Sequence, residues 1–407
     1  PVMLTMTQQT KTSRVAGFAC DLSHVKHQLT SKHENLRMNF GFTEEQELLR
    51  DQVRKFLDAQ SPVSRVREIM HTDEGFDRQI WQQIAALGWL GLVVDPEYDG
   101  VGLGFVDLIV ILEEMGKSLF PSPFIAHSLA ASTLNELASA DQKKRHLNDL
   151  ACGRTIGTIA LLDIHDLPNA ESITLSGVIQ ENGVILNGKK LFVMDADNAD
   201  LFIVAFKDQH VPYLALIRRD QTGVSTQGSA TMDLTKRVGS LELDNVSVAT
   251  QDLIMTNNEN INRLLDKAAV AVTAEMIGAA EAVIYMTTNY AKDRLQFDNP
   301  IGKYQGVKHR LAEMYVDVES FRSLLYYAAW CVDESPHELP RSASLAKAYA
   351  SDAFSQIGTD GVQLHGAIGF TQEYDVQLYL KRSKWARPIF GDADYHYERI
   401  HQLQVTD

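Results

Sequence analysis

Apolar positions change their period twice along the chain. From Thr43 to about residue 150 they recur at helical spacing, as in Leu48, Leu49, Val53, Phe56 and Leu57. Thr43-Glu44-Glu45-Gln46 has the spacing of a capping box and predicts a helix start there. Residues 88–92 read as a short apolar connection, 95–100 as a turn, and 106–115 as an amphipathic helix stopped by Gly116. Between about 155 and 255 the runs shorten to 155–160, 172–180, 183–186, 201–206, 213–217 and 240–243, separated by Gly, Asn, Asp and Pro. That pattern predicts a small all-β domain, with hairpin-type turn signals at Glu181-Asn182-Gly183 and Leu186-Asn187-Gly188. From Asn258 long helical patterns return, with few breakers before Pro336. The order is helical, β, helical, so the fold class is α+β. Domains are expected at 38–153, 154–256 and 257–407.

Length and charge narrow the function. A chain of 407 residues with 45% hydrophobic content can fill a large core. A formal net charge of −15 argues against general electrostatic binding of nucleic acid. Cys20, Cys152 and Cys331 lie far apart with no ligand-like spacing, and read as reduced structural thiols of a cytoplasmic protein. No metal-ligand constellation stands out. No uninterrupted run of about 18 apolar residues occurs, so no membrane span is expected. Residues 1–37 carry Lys11 and Arg14 and lack acidic side chains until Asp21, which loosely suits a transit peptide. Met38-Asn39-Phe40-Gly41 looks like a natural start, which makes 1–37 an upstream extension or an expression artefact.

Two separated motifs carry chemistry. Arg294-Leu295-Gln296-Phe297 and Gln305 follow a long helix, and Gln363-Leu364-His365-Gly366 is a glycine-punctuated helix end. Together with Gly91–Gly102 and Leu112-Glu113-Glu114-Met115-Gly116 they resemble the acyl-CoA dehydrogenase family over residues 42–399. The resemblance implies an amino-terminal helical domain, a middle β-barrel-like domain and a carboxyl-terminal four-helix bundle. It also implies FAD as cofactor and an acyl-CoA thioester as substrate. In the family, residues matching Arg294, Phe297, Gln305, Gln363 and Gly366 hold the adenosine and diphosphate of a neighbouring subunit's FAD. Phe192 and Val193, in Lys190-Leu191-Phe192-Val193-Met194, match an element on the flavin-ring side, although Met194 replaces a threonine. The family's Thr-Glu-Pro turn is replaced by residues 160–166, and its usual glycine after the aromatic by Asp298. His365 and His396 are further candidates to meet cofactor or substrate, although a structural histidine is the plainer reading of His365.

The base is the main departure. Family chemistry removes an α proton with a carboxylate and passes the β hydrogen as hydride to the flavin. Gly391 stands where one form of the catalytic glutamate belongs, and Ala268 where the other does. Asp392 and Glu275 are the remaining candidates. Glu275 lies two turns beyond Ala268, about 10 Å along the helix axis. The chain thus keeps elements serving a neighbour's FAD and lacks those of its own flavin pocket and base. That asymmetry implies the glutamate-lacking subunit of a heteromeric bacterial acyl-CoA dehydrogenase, paired with a catalytic paralogue and oxidised by electron-transfer flavoprotein. Such assemblies act on unusual acyl groups, including steroid side chains. Alternatives are a self-sufficient dehydrogenase using Asp392 or Glu275, a flavin oxidase or monooxygenase, and a scaffold without catalysis. A shared cofactor requires at least a homo- or hetero-dimer.

Overall fold

The computed structural model describes residues 42–164 and 167–405. The transit-like segment, the Met38 start and Cys20 lie outside the described residues, as do His165 and Asp166. The amino-terminal block holds α1 (Glu44–Gln60), α2 (Val63–Ile69), α3 (Arg78–Ala86), α4 (Phe105–Lys117), α5 (Phe124–Leu137) and α6 (Ala140–Ala151). The capping box opens α1: the Thr43 hydroxyl accepts from the Gln46 amide at 3.2 Å, and the Gln46 side chain accepts from the Thr43 amide at 3.1 Å. Val53 and Leu57 face inward, while Leu48 is solvent-exposed.

Helix α4 is buried from Leu108 to Gly116 and lies against α7 (Asn258–Asp293), the 36-residue first helix of the last block. Gly116 is not a helix stop, since α4 continues to Lys117. It is small because α7 passes there. A Cβ on Gly116 would sit 2.1 Å from the Glu275 carbonyl oxygen, and one on Gly278 would sit 1.7 Å from that of Glu113. The two helix backbones therefore touch, and glycine is required by close approach rather than by chain reversal.

The middle block contains β1 (Gly157–Ala160), β2 (Gly183–Met194), β3 (Leu201–Asp208), β4 (Val211–Arg218), β5 (Val224–Gly228), β6 (Val238–Ala249) and β7 (Leu253–Met255). One sheet has the order β1-β3-β4-β7, with β1 and β3 parallel, and the other β2-β6-β5. Along β3, Phe202, Val204 and Phe206 enter the core between the sheets, while Leu201, Ile203 and Ala205 join the helical core. Burial on both faces explains its unbroken apolar run. Three expectations change. Residues 172–180 make only the isolated bridges Ser176↔Lys207 and Gln180↔Gly183. Asn187-Gly188 forms a bulge within β2 rather than a hairpin, and the Asn187 side chain accepts from the Asn245 amide at 2.7 Å. Strands β5 and β7 escaped notice because β5 is polar and β7 has three residues.

The last block continues through a two-stranded hairpin, β8 (Leu295–Gln296) and β9 (Asn299–Pro300), to α8 (Gln305–Glu334), α9 (Leu339–His365), α10 (Val376–Ala386) and α11 (Ala393–Val405). Three long helices with the shorter pair make the bundle. Without an uninterrupted apolar run, α7 is still long and apolar enough by length and composition to cross a membrane, and 78% of its most apolar window is buried inside the protein, as in a core helix. The three blocks do not separate, and Phe42–Asp407 is one compact unit.

Replacing Gly278 by alanine gains roughly 1 kcal/mol of helix propensity but forces a methyl into the Glu113 carbonyl, an overpacking cost of about 1–3 kcal/mol. The expected outcome of Gly278→Ala is a lower apparent Tm in thermal unfolding. An unchanged or raised Tm would show that the α4–α7 contact can relax.

Candidate functional site

At the far end of the bundle, α7 ends on Arg294 and α9 ends on His365. Aromatic packing brings these ends together: the Tyr290 and His365 rings lie 4.5 Å apart by centroid, and Tyr374 lies 4.8 Å from His365. His365 is buried, donates from Nδ1 to the Gly361 carbonyl at 2.6 Å, and is pushed down in pKa by burial. That bond ties the ring to the last turn of α9, while its buried Nε2 has no partner among the described residues. Around it Arg294, Phe297, Gln305, Gln363 and Gly366 are all exposed, Phe297 by 86%. Among the described residues none pairs with the Arg294 guanidinium or with the side chains of Gln305 and Gln363. A Cβ on Gly366 would meet nothing within 4 Å. An uncommitted guanidinium, two free amides, an exposed ring and an open glycine suit the diphosphate and adenosine of FAD, since guanidinium donors pair with phosphate oxygens.

The element matching the flavin-ring side is less open. Phe192 sits in a bulge of β2 with φ 52° and is half exposed. Val193 points instead into the core between the sheets, so its side chain does not line a cofactor site. Beside them Lys190 is fully buried, 2.7 Å from Asp163, and donates to the Leu161 carbonyl at 3.1 Å. Burial lowers the Lys190 pKa to about 8, with Asp163 opposing the shift. Asp163 also accepts the backbone amides of Thr174 (2.6 Å) and Leu175 (3.1 Å). This pair closes the stretch that replaces the Thr-Glu-Pro turn.

Neither position for a base presents a carboxylate. Ala268 is fully buried. Phe390 (φ 56°) and Gly391 (φ 98°) form a left-handed turn, and a Cβ on Gly391 would lie 2.5 Å from the Tyr395 ring and 2.9 Å from His396 Nε2. The turn is held from below by Lys347, fully buried, whose ammonium donates to the carbonyls of Gly391 (2.7 Å) and Arg387 (2.8 Å) and to Ser351 (3.0 Å). Burial lowers the Lys347 pKa to about 7, against the attraction of Asp392. His396 donates to the Phe390 carbonyl at 3.0 Å, and burial beside Lys347 and Arg399 depresses its pKa to about 3. Its buried Nδ1 has no partner among the described residues. Asp392 caps α11, accepting the Tyr395 amide at 3.0 Å.

Glu275 is 2% exposed and clamped between two cations: Lys236 at 2.7 Å and Arg382 at 3.2 Å. Arg382 in turn binds Asp233 and the Thr235 hydroxyl, both at 2.5 Å. Each Glu275 oxygen is already occupied by a buried cation and the side chain is closed off from any ligand, so the structure gives Glu275 a structural role and does not support it as the base. Sequence reasoning missed Lys236, Asp233 and Lys347. The available signal was a lone lysine in the small-residue run Ala346-Lys347-Ala348, where a charge has to be paired on burial.

Family models described as the acyl-CoA dehydrogenase N-terminal and C-terminal domains match residues 43–154 and 259–403. The chain is 32% identical over 359 residues to the acyl-CoA dehydrogenase IpdE2 of Mycolicibacterium smegmatis, covering 88% of this chain and 98% of that one. Among solved structures it is similar to the ChsE4–ChsE5 complex from Mycobacterium tuberculosis, with TM-score 0.84 and 26% identity over 91% of this chain and 100% of the other. It is also similar to a variant of the steroid ACAD Tcur3481–Tcur3483, with TM-score 0.81 and 26% identity over 89% and 98% of the two chains. With family models matching both helical blocks and a relative 32% identical along nearly its whole length, the chain belongs to the acyl-CoA dehydrogenase family of FAD-dependent oxidoreductases.

Proposed function

We propose that this chain is the glutamate-lacking subunit of a heteromeric acyl-CoA dehydrogenase, completing an FAD site for a paralogue that carries the base. The observation that carries the reading is the Gly391 turn, where the space for any side chain is already filled by Tyr395 and His396. Loss of the base is therefore built into the packing of α11 and not confined to one substituted residue. The exposed Arg294 surface supports the same reading, because it is available to a cofactor seated on another subunit. Two similar structures carry paired chain names, one of them a steroid ACAD, which favours a bulky, steroid-like acyl-CoA as substrate.

In such an assembly FAD supplies the hydride acceptor. Arg294 would neutralise diphosphate charge, Phe297 would cover the adenosine, and Gln305 and Gln363 would donate or accept at its polar edges. The proton would leave to the paralogue's carboxylate. Electron-transfer flavoprotein is the proposed oxidant, and the cytoplasm the proposed compartment.

The test is anaerobic flavin absorbance with a panel of acyl-CoA thioesters. The isolated chain is expected to leave any bound FAD oxidised, and co-expression with a glutamate-bearing paralogue to give rapid bleaching. Bleaching by the isolated chain would overturn the reading. Gly391→Glu is expected to confer no reduction on the isolated chain and to lower its thermal stability. In the assembled enzyme, Glu275→Gln is expected to cost about 3 kcal/mol of stability by uncoupling a buried ion pair, while flavin reduction per bound FAD stays unchanged. Abolished reduction at unchanged stability would instead make Glu275 the base.

A further inference from the structure

The hairpin that follows Arg294 turns through two residues in the left-handed region, Phe297 at φ 51° and Asp298 at φ 59°. They link β8 to β9, where Gln296 pairs with Asn299. Glycine, asparagine and aspartate adopt such corners readily, whereas Phe does so at a cost that surrounding contacts have to offset. Those contacts are present. The Asn299 side chain donates to the Phe297 carbonyl at 2.8 Å, Lys303 donates to the Asn299 side chain at 2.9 Å, and the Tyr304 hydroxyl donates to the Gln296 carbonyl at 3.0 Å. The turn thus presents Asp298 at the tip, exposed and, among the described residues, without a partner. It lies four positions along the chain from Arg294, a span of about 13 Å at strand spacing.

A carboxylate and a guanidinium on one small hairpin act on a diphosphate with opposite sign. We propose that Asp298 is an affinity-lowering determinant of this surface: its charge opposes the diphosphate that Arg294 attracts, so the chain by itself binds FAD less tightly than the Arg294 hairpin would otherwise allow. This rests on the reading that the hairpin takes the adenosine diphosphate end of FAD. The effect is electrostatic and modest, because exposed charges are screened over about 8 Å at physiological salt.

The full chain is titrated calorimetrically with ADP as the charged probe and adenosine as the uncharged one, using the natural chain, Asp298→Asn and Arg294→Ala. Asp298→Asn is expected to tighten ADP about two- to fivefold at low salt, with the gain vanishing near 1 M salt and adenosine unaffected. Arg294→Ala is expected to weaken ADP. If Asp298→Asn leaves ADP unchanged while Arg294→Ala weakens it, the surface is correct and the role of Asp298 is wrong. Equal tightening of ADP and adenosine would assign the effect to turn conformation and overturn the charge argument. If ADP binds no variant, or ignores Arg294→Ala, the FAD reading of the hairpin fails, and the proposal with it.

Discussion

Two cations and two carboxylates are buried together where the middle β block meets the helical bundle. Arg382 from α10 reaches Asp233 and Glu275, and Lys236 completes the square at Glu275. Buried charges are tolerated only when paired and hydrogen-bonded, because each loses its hydration. Removing any one member strands its partner, so the loop bearing Asp233, Thr235 and Lys236 has to stay docked on α7 and α10. Asp195, also buried, faces the same Lys236, and burial raises its pKa to about 7 despite that cation.

The network also explains why α7 serves as the spine. Along its length Asp266 pairs with Arg399 of α11 at 3.0 Å, Glu275 anchors the β block, and Gly278 admits the backbone of α4. A helix with this many neighbours has to be apolar almost all round, which gives it the composition of a membrane span without the surroundings of one. It also leaves little freedom for chemistry on the same helix. Ala268 is enclosed by packing, Asp266 beside it is paired with Arg399, and Glu275 two turns on is consumed by the ion network.

The second constraint lies at the start of α11. A left-handed turn at Phe390-Gly391 is held by a buried ammonium below and a neutral histidine beside it. The polypeptide there has no room for a projecting acid, whereas the opposite end of the bundle leaves a guanidinium, an aromatic ring and two amides uncommitted. One chain thus combines a filled turn at Gly391 with an exposed guanidinium, ring and amides at the other end of the bundle, and the proposal of a shared cofactor site rests on that combination.

The order of helical and β blocks, the α1 cap, the family, and the absence of a glutamate at residues 268 and 391 are legible in the amino-acid sequence. These are local or one-dimensional properties: periodicity, a four-residue cap, and motif residues at fixed spacing. What surrounds each candidate residue depends on contacts made only on folding. Gly116 read as a stop because chain-local reasoning cannot see a helix crossing it, and Asn187-Gly188 read as a hairpin because a bulge uses the same residues. Val193 went to the core by strand alternation that depends on register. Glu275 became a clamped structural carboxylate through Lys236 and Arg382, 39 and 107 residues away along the chain. A carboxylate's basicity depends on the charges around it and on its access to water, and both are set by residues that are neighbours only after folding.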